Sequence, residues 1–372
     1  MHSMEKLIII YNFAQRYREP IFRLIDAEWD CEWYFGRNTT DIKGMDMSVL
    51  KNVTEVDNKI FIKSPWYFQK KITGLFKRRD VSAFLILGEP YCISTWLLCI
   101  LIKLFNSKKK IYLWSHGWYG KESKSRRIIK KAFFKLADGI FLYGNYAKRL
   151  MTVEGFDERK LYVIHNSLHH DRQLALREQI RQSSIFRDRF KNDNPNIIFI
   201  GRLTEVKRLD LLIKAVALLR NRGKYFNVTF IGDGTMRDGL QQLVSDGGLD
   251  DCVWFYGACY DEAANAELIY NADLCVAPGN VGLTAMHSMV FGCPVLTHND
   301  FPLQMPEFEA ICENETGSFF KRNDIESLAD AISDWFGYNG SRRETIRRNC
   351  FKEIDTQWTP NHQMNILKSV FK

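Results

Sequence analysis

The chain has 372 residues, 46% apolar and 26% charged, which excludes a disordered segment and makes two domains the expectation over one ordinary core. Its nine cysteines are scattered and form no Cys-x-x-Cys pair, which excludes a disulfide framework and a cysteine zinc site and points to a reducing, cytoplasmic compartment. The net charge of +8 is uneven: residues 1–195 hold 35 Lys+Arg against 21 Asp+Glu, and residues 196–372 stand at −6, so the first half suits an anionic partner such as nucleic acid, anionic lipid or a phosphorylated substrate.

The opening "MHSMEKLIIIYNF" has too short an apolar core for a signal peptide and predicts a first strand. The apolar β-rich runs "EWYF", "KIFI", "AFLIL", "KIYLW", "GIFLY" and "LYVI" predict the other strands of the first half. Between them, "STWLLCILIKLF" is about half the length of a membrane span and predicts a buried helix. Two segments mix cations with aromatic and aliphatic residues, "SPWYFQKKITGLFKRRD" and "GKESKSRRIIKKAFFKLAD". Both are expected to be basic amphipathic helices, with apolar faces on the sheet and cationic faces suited to anionic lipid. The polar run from His169 to Asn196 predicts a linker with some helix. Beyond it come "NIIFIG", "NVTFIG", "CVWFYG", "DLCVAPG" and "CPVLTH" as strands, with Leu209, Leu212, Ile213, Val216 and Leu219 on one face of the clearest helix. The ending predicts two helices broken near Pro360.

Near-continuous apolar strands alternating with helices mean parallel sheets covered on both faces. The expected fold is α/β, with two Rossmann-like, doubly wound domains facing across a cleft. The boundaries are set at 1–185, 186–350 and 351–372, the last being a helix that packs back on the first domain. Ligands of such sheets bind beyond the carboxyl ends of the strands, so chemistry is sought there.

After "NIIFI", Gly201 ends the strand and Arg202 and Lys207 flank a loop before a helix. Two cations beside a helix start suit a phosphate, Arg as a fork and Lys as a point charge. The next strand ends in Gly232-Asp-Gly234, and a later one in Pro-Gly279-Asn280-Val281-Gly282-Leu283-Thr284. Tight turns need glycine anyway, so the order of these tips says more than any one of them. In the first half, His116 follows one strand, Glu89 another, and Arg16 and Arg18 the first.

The second half resembles the donor-binding domain of the retaining glycosyltransferases of family 4, which have the GT-B fold. The likeness rests on "GRLTEVKRLDLLIKAVALL", "VTFIGDGTMRDGL", "VWFYGACYDEAANAELIYNADLCVAPG", "GLTAMHSMVFGCPVLTH" and "FEAICENETGSFF", in that order. The first half resembles transferases of bacterial surface polysaccharides less sharply, through "YREPIF", "LGEPYCISTW", "WSHGWYGKESKSRR" and "VIHNSL". The resemblance implies that Arg202 and Lys207 hold the donor diphosphate, that His116 sits near the donor sugar, and that Gly201, Gly232, Gly234, Leu283, Thr284 and Glu309 belong to the donor site. Glu89, Arg16 and Arg18 would face the acceptor. The chain departs from the family in lacking its Glu-x7-Glu pair: His287 stands where the second glutamate belongs, and the turn from Pro278 to Gly282 is too short to carry the first. His287 and the amides of Gly279, Asn280, Val281 and Gly282 are the candidates to replace them.

No Asp-x-Asp triplet occurs, which fits a metal-independent site and no cofactor beyond a nucleotide-diphosphate-sugar as donor substrate. The expected acceptor is a glycan or an undecaprenyl-diphosphate-linked oligosaccharide of capsule, O-antigen or exopolysaccharide assembly. The protein is expected to sit peripherally on the inner face of the cytoplasmic membrane, with no nucleic-acid partner. A GT-B sugar-nucleotide epimerase and a catalytically inactive nucleotide-sugar-binding or membrane scaffold are the alternatives.

Overall fold

A computed structural model describes residues 6–39, 42–61 and 64–371. The chain divides into two units, one of Met1–His169 with Pro360–Lys372 and one of His170–Thr359.

The first unit is built on seven parallel strands. In chain order they are β1 (Lys6–Tyr11), β2 (Cys31–Gly36) and β3 (Val53–Val56), then β6 (Val81–Leu87), β7 (Lys110–Ser115), β8 (Gly139–Leu142) and β9 (Leu161–Val163). Strands β4 (Asn58–Ile60) and β5 (Tyr67–Gln69) form a separate antiparallel ribbon. The main sheet runs β3-β2-β1-β6-β7-β8-β9. Helices α1 (Glu19–Glu28), α2 (Ile93–Phe105), α3 (Lys124–Phe134) and α4 (Asn145–Val153) cover it. The central strand explains the unbroken apolar runs of the sequence. Ile8 and Ile10 of β1 enter one core and Leu7, Ile9 and Tyr11 the opposite one, so both faces are buried.

The second unit contains α5 (His170–Gln179), α6 (Ile185–Phe190), β10 (Asn196–Ile200), α7 (Leu209–Asn221), β11 (Asn227–Ile231), α8 (Arg237–Asp246), β12 (Val253–Gly257) and α9 (Glu262–Asn271). It continues with β13 (Leu274–Ala277), α10 (Leu283–Met289), β14 (Val295–His298), β15 (Gly317–Phe320), α11 (Ile325–Asn339) and α12 (Arg343–Gln357). Its sheet is parallel, in the order β12-β11-β10-β13-β14-β15. The unit begins at His170, earlier than the expected residue 186. Asp355 of α12 fixes α5 by accepting from Arg177 at 2.7 Å and bonding His170 at 2.8 Å. Helix α13 (Pro360–Val370) returns to the first unit. There Met364 and Leu367 enter the core, and Phe371 meets Trp29, Tyr112 and Phe141 at ring distances of 5.4, 4.8 and 5.7 Å.

Each sheet has one place where chain order reverses: between β1 and β6 in the first, and between β10 and β13 in the second. Loops leaving the carboxyl ends of such a strand pair diverge and open a crevice.

Four local expectations are corrected. The segment 64–80 is not a helix but β5 followed by a 3-10 turn at Thr73–Lys77. Pro65, the β-favouring trio Trp66-Tyr67-Phe68 and Gly74 outweigh its charge pattern. The run "KIFI" supplies only β4, off the main sheet, and its Ile62 lies outside the described residues. The edge strand β3 arises from the polar "VTEV", and β15 from "GSFF", neither of which carries a strong strand signal. Finally, α2 forms where expected but buries only one side: Leu104 is 70% and Phe105 71% exposed.

Candidate active site

At the switch point of the second unit, the loop after β10 and the turn after β13 are joined. The amide of Gly279 donates to the carbonyl of Lys207 at 2.9 Å. The Lys207 ammonium in turn donates to the backbone carbonyl of Asn280 at 2.7 Å and to its side-chain oxygen at 2.9 Å. The contact requires a residue without a side chain: a Cβ on Gly279 would lie 2.0 Å from the carbonyl oxygen of Val206. Burial of Lys207 lowers its pKa to about 8; Glu307 opposes the shift and the Arg202 charge adds to it. Arg202 itself is exposed, so a half-buried and a solvent-facing cation share one loop.

The turn from Gly279 to Gly282 offers fewer amides than its sequence suggests. Gly279 N–H is engaged by Lys207, and Val281 N–H donates to the buried Gln304 side chain at 2.9 Å. Those of Asn280 and Gly282 have no protein acceptor among the described residues. Gly282, at φ +53°, precedes α10, where Leu283 is half-buried. The buried Thr284 hydroxyl donates to the Ile200 carbonyl at 2.8 Å, tying α10 to the end of β10. His287 is half-buried on α10, one turn farther along. Glu309 is half-buried in the 3-10 turn Pro306–Ala310, whereas Glu307, two residues earlier, is fully buried and is the carboxylate that bears on Lys207. On the β11 side, Gly201 and Gly232 meet back to back, and the Gly234 N–H donates to the Asp233 carboxylate at 2.8 Å.

At the switch point of the first unit lies a cavity of ≈470 Å³ lined by residues after β1, β6, β7 and β8. Arg18, Glu89 and His116 all line it; Arg16 is exposed and does not. Arg18 is 4% exposed, and its guanidinium lies 5.2–5.3 Å from the ring centres of Tyr11, Tyr17, Trp114 and Tyr143 while donating to the Tyr143 hydroxyl. His116 packs on Tyr143 at 4.6 Å and Tyr119 at 5.8 Å, and its Nδ1 is buried with no hydrogen-bond partner among the described residues. Burial, then the charges of Arg18 and Lys130, hold its pKa down to about 3, so the imidazole is neutral at ordinary pH. Burial pushes the Glu89 carboxyl up, and the Tyr67 hydroxyl, donating to it at 3.1 Å, partly restrains the rise.

Several participants carry no signal in the sequence. Tyr67 reaches Glu89 across 22 residues, and Gln304 reaches Val281 across 23. Glu122 accepts from the amides of Tyr119 and Gly120 at 2.9 Å and from Lys130 at 2.6 Å, which shapes the loop carrying His116. Among the described residues no group of three His, Cys, Asp or Glu side chains is placed to hold a metal ion.

Residues 180–352 match the family model of the glycosyl transferases group 1. Among curated proteins, the chain is 30% identical over 143 residues to the amylovoran biosynthesis glycosyltransferase AmsK of Erwinia amylovora, covering 36% of this chain and 34% of that one. It is 25% identical over 269 residues to an uncharacterized glycosyltransferase of Methanocaldococcus jannaschii, covering 69% and 65%. The matches thus span between about a third and two thirds of those relatives. Among solved structures, HepE of Anabaena in complex with UDP superposes with a TM-score of 0.73 at 14% identity, over 99% of both chains. The lipopolysaccharide outer core galactosyltransferase WaaB superposes with a TM-score of 0.72 at 15% identity, over 98% of this chain and 99% of that one. The chain has the GT-B fold and is related to the group 1 glycosyl transferases through its second unit.

Proposed function

We propose that this GT-B protein transfers a sugar from a nucleotide-diphosphate donor to a hydroxyl of a glycan or lipid-linked oligosaccharide, with retention at the anomeric carbon. The observation that carries the reading is the paired cation loop: Lys207 locked onto Asn280 with the Arg202 charge beside it, at the sheet's switch point. Such a pair suits a diphosphate whose charge grows as it leaves. The names of the relatives support the same class, as do the complexes of HepE with UDP and with UDP-glucose.

In this reaction the bond from the anomeric carbon to the diphosphate oxygen breaks and a bond to the acceptor oxygen forms on the same face. The hydroxyl proton passes to the departing phosphate, so no separate base is needed. Arg202 and Lys207 stabilise the leaving group, and the Asn280 and Gly282 amides add donors. His287 offers a ring nitrogen to the ribose, in place of a carboxylate. The neutral His116 contributes a hydrogen bond to the sugar rather than a charge, and Glu89 and Arg18 orient the acceptor. A lipid-diphosphate acceptor would bring the enzyme to a membrane surface.

A panel of nucleotide-sugars tested by thermal shift should yield at least one ligand that raises the melting temperature, because binding to the native state alone stabilises it. Arg202→Ala should abolish most of that shift and lower donor turnover about 10²-fold or more. A wild type that neither binds nor turns over any nucleotide-sugar refutes the proposal.

A further inference from the structure

Helix α2 carries two apolar faces. Ser94, Thr95, Leu98, Cys99 and Ile102 are buried against the sheet. On the other side Leu97, Ile100, Leu101, Leu104 and Phe105 follow the i, i+3, i+4, i+7, i+8 spacing of a second stripe. Leu97 is 43%, Ile100 37%, Leu104 70% and Phe105 71% exposed. The helix has a single charged side chain, Lys103, which is taken up by Asp138 at 2.9 Å. A helix that is apolar all round belongs inside a core or in contact with lipid. This one lies at the surface of its unit.

The rim of the stripe is basic. Phe76 packs on Phe105 at 5.9 Å, and Lys109 donates to the carbonyls of Phe76 and Arg78, which pins the turn after α2 to the Thr73–Lys77 turn. Exposed Lys77, Arg79 and Lys108 therefore lie on the two turns joined at the Leu104–Phe105 end, whereas Lys110 alternates with Ile111 to the other face of the sheet. Asp80, the acid of this rim, is paired with Arg78 and Lys6. Helix α3, which touches α2 through Phe133 and Trp96 at 5.1 Å, presents Ile128, 70% exposed, beside exposed Lys124 and Arg127, the latter paired with Glu154.

We propose that the outer face of α2 is a lipid-contacting surface, seated in the head-group boundary of an anionic bilayer with Leu97, Ile100, Leu104 and Phe105 toward the acyl chains and the three rim cations Lys77, Arg79 and Lys108 on lipid phosphates. At 13 residues α2 spans about 20 Å, short of the roughly 30 Å of a hydrocarbon core, so it lies along the surface. Charge selects lipid over a second copy of the chain. The first unit holds 31 Lys+Arg against 17 Asp+Glu, and two such faces would repel. The inference deepens the reading of a lipid-linked acceptor, but it needs no donor and no turnover.

The test is co-sedimentation of the full chain with vesicles of equimolar phosphatidylglycerol and phosphatidylcholine, against phosphatidylcholine alone. The wild type should bind the anionic vesicles about tenfold more, less so at high salt. Leu104→Ser with Phe105→Ser should lose about tenfold of that binding, as should Lys77→Glu with Lys108→Glu. Unchanged melting temperatures would show that these surface variants are folded. No binding by the wild type, or wild-type binding by the Leu104→Ser/Phe105→Ser variant, overturns the proposal. So does light scattering that finds a dimer which the same variant splits, since the face would then belong to a second copy. Nucleotide-sugar binding, measured separately, tells a failure here from a failure of the transferase reading.

Discussion

Lys207→Ala is expected to lower kcat/KM for the nucleotide-sugar by about 10²–10³-fold, the usual cost of removing one preorganised donor from a developing anion. The wild type should show the same dependence in its pH profile. Burial, with the neighbouring Arg202 charge, sets the Lys207 pKa at about 8 in the free protein. Only the protonated form attracts a diphosphate, so donor affinity should be full below pH 8 and fall as pH rises through it. Lys207→Arg, which stays charged, should remove that alkaline limb even if it lowers the plateau. Stability should move the other way. Between about 8 and the unfolded value of about 10.4, the unfolded chain holds a proton that the folded one has lost, so this group's contribution to stability increases with pH. Donor titrations and urea unfolding over pH 6–10 check both signs; a donor affinity flat across that range would remove Lys207 from the diphosphate site.

Gly232→Ala is expected to destabilise the second unit by about 3 kcal/mol or more, lowering its melting temperature by roughly 6–12 °C. The added Cβ would sit 1.9 Å from the carbonyl oxygen of Gly201, and the residue has φ +147°. Both obstacles are backbone, so no side chain can swing aside. The ends of β10 and β11 would have to part, along with the 2.8 Å bond from Gly232 N–H to the Gly257 carbonyl. Because Gly201 leads into Arg202, donor affinity should fall together with stability. Gly239→Ala is the control: it is exposed on α8 with nothing within 4 Å of an added Cβ, and should stabilise by up to about 1 kcal/mol. Calorimetry of the two variants side by side separates a steric effect at the strand tips from a general intolerance of alanine for glycine.

Strands buried on both faces were legible, because "LIIIY" or "NIIFI" admits few other readings. The edge strands β3 and β15 were not, although the more apolar edge strands β9 and β12 were, through "LYVI" and "CVWFYG". "VTEV" at β3 and "GSFF" at β15 have one neighbour and little apolar signal. The outer stripe of α2 was hidden for a related reason: an apolar helix reads as buried, and periodicity cannot say that nothing packs on its second face. At the site, the order of glycine tips and the Arg202–Lys207 pair could be read locally. Pairings across long separations could not, such as Gln304 with Val281. Between Glu307 and Glu309, spacing alone could not tell which carboxylate turns inward. That choice is made by the 3-10 turn that carries them.

The return of α13 to the first unit sets the order in which the protein can be finished during synthesis. Trp29, Tyr112 and Phe141 emerge early, yet their partner Phe371 follows the whole of the second unit. The second unit, all of whose residues precede Pro360, can close as soon as it leaves the ribosome, while the first must hold an apolar face open until α13 has emerged as well. The unit begun first is therefore completed last.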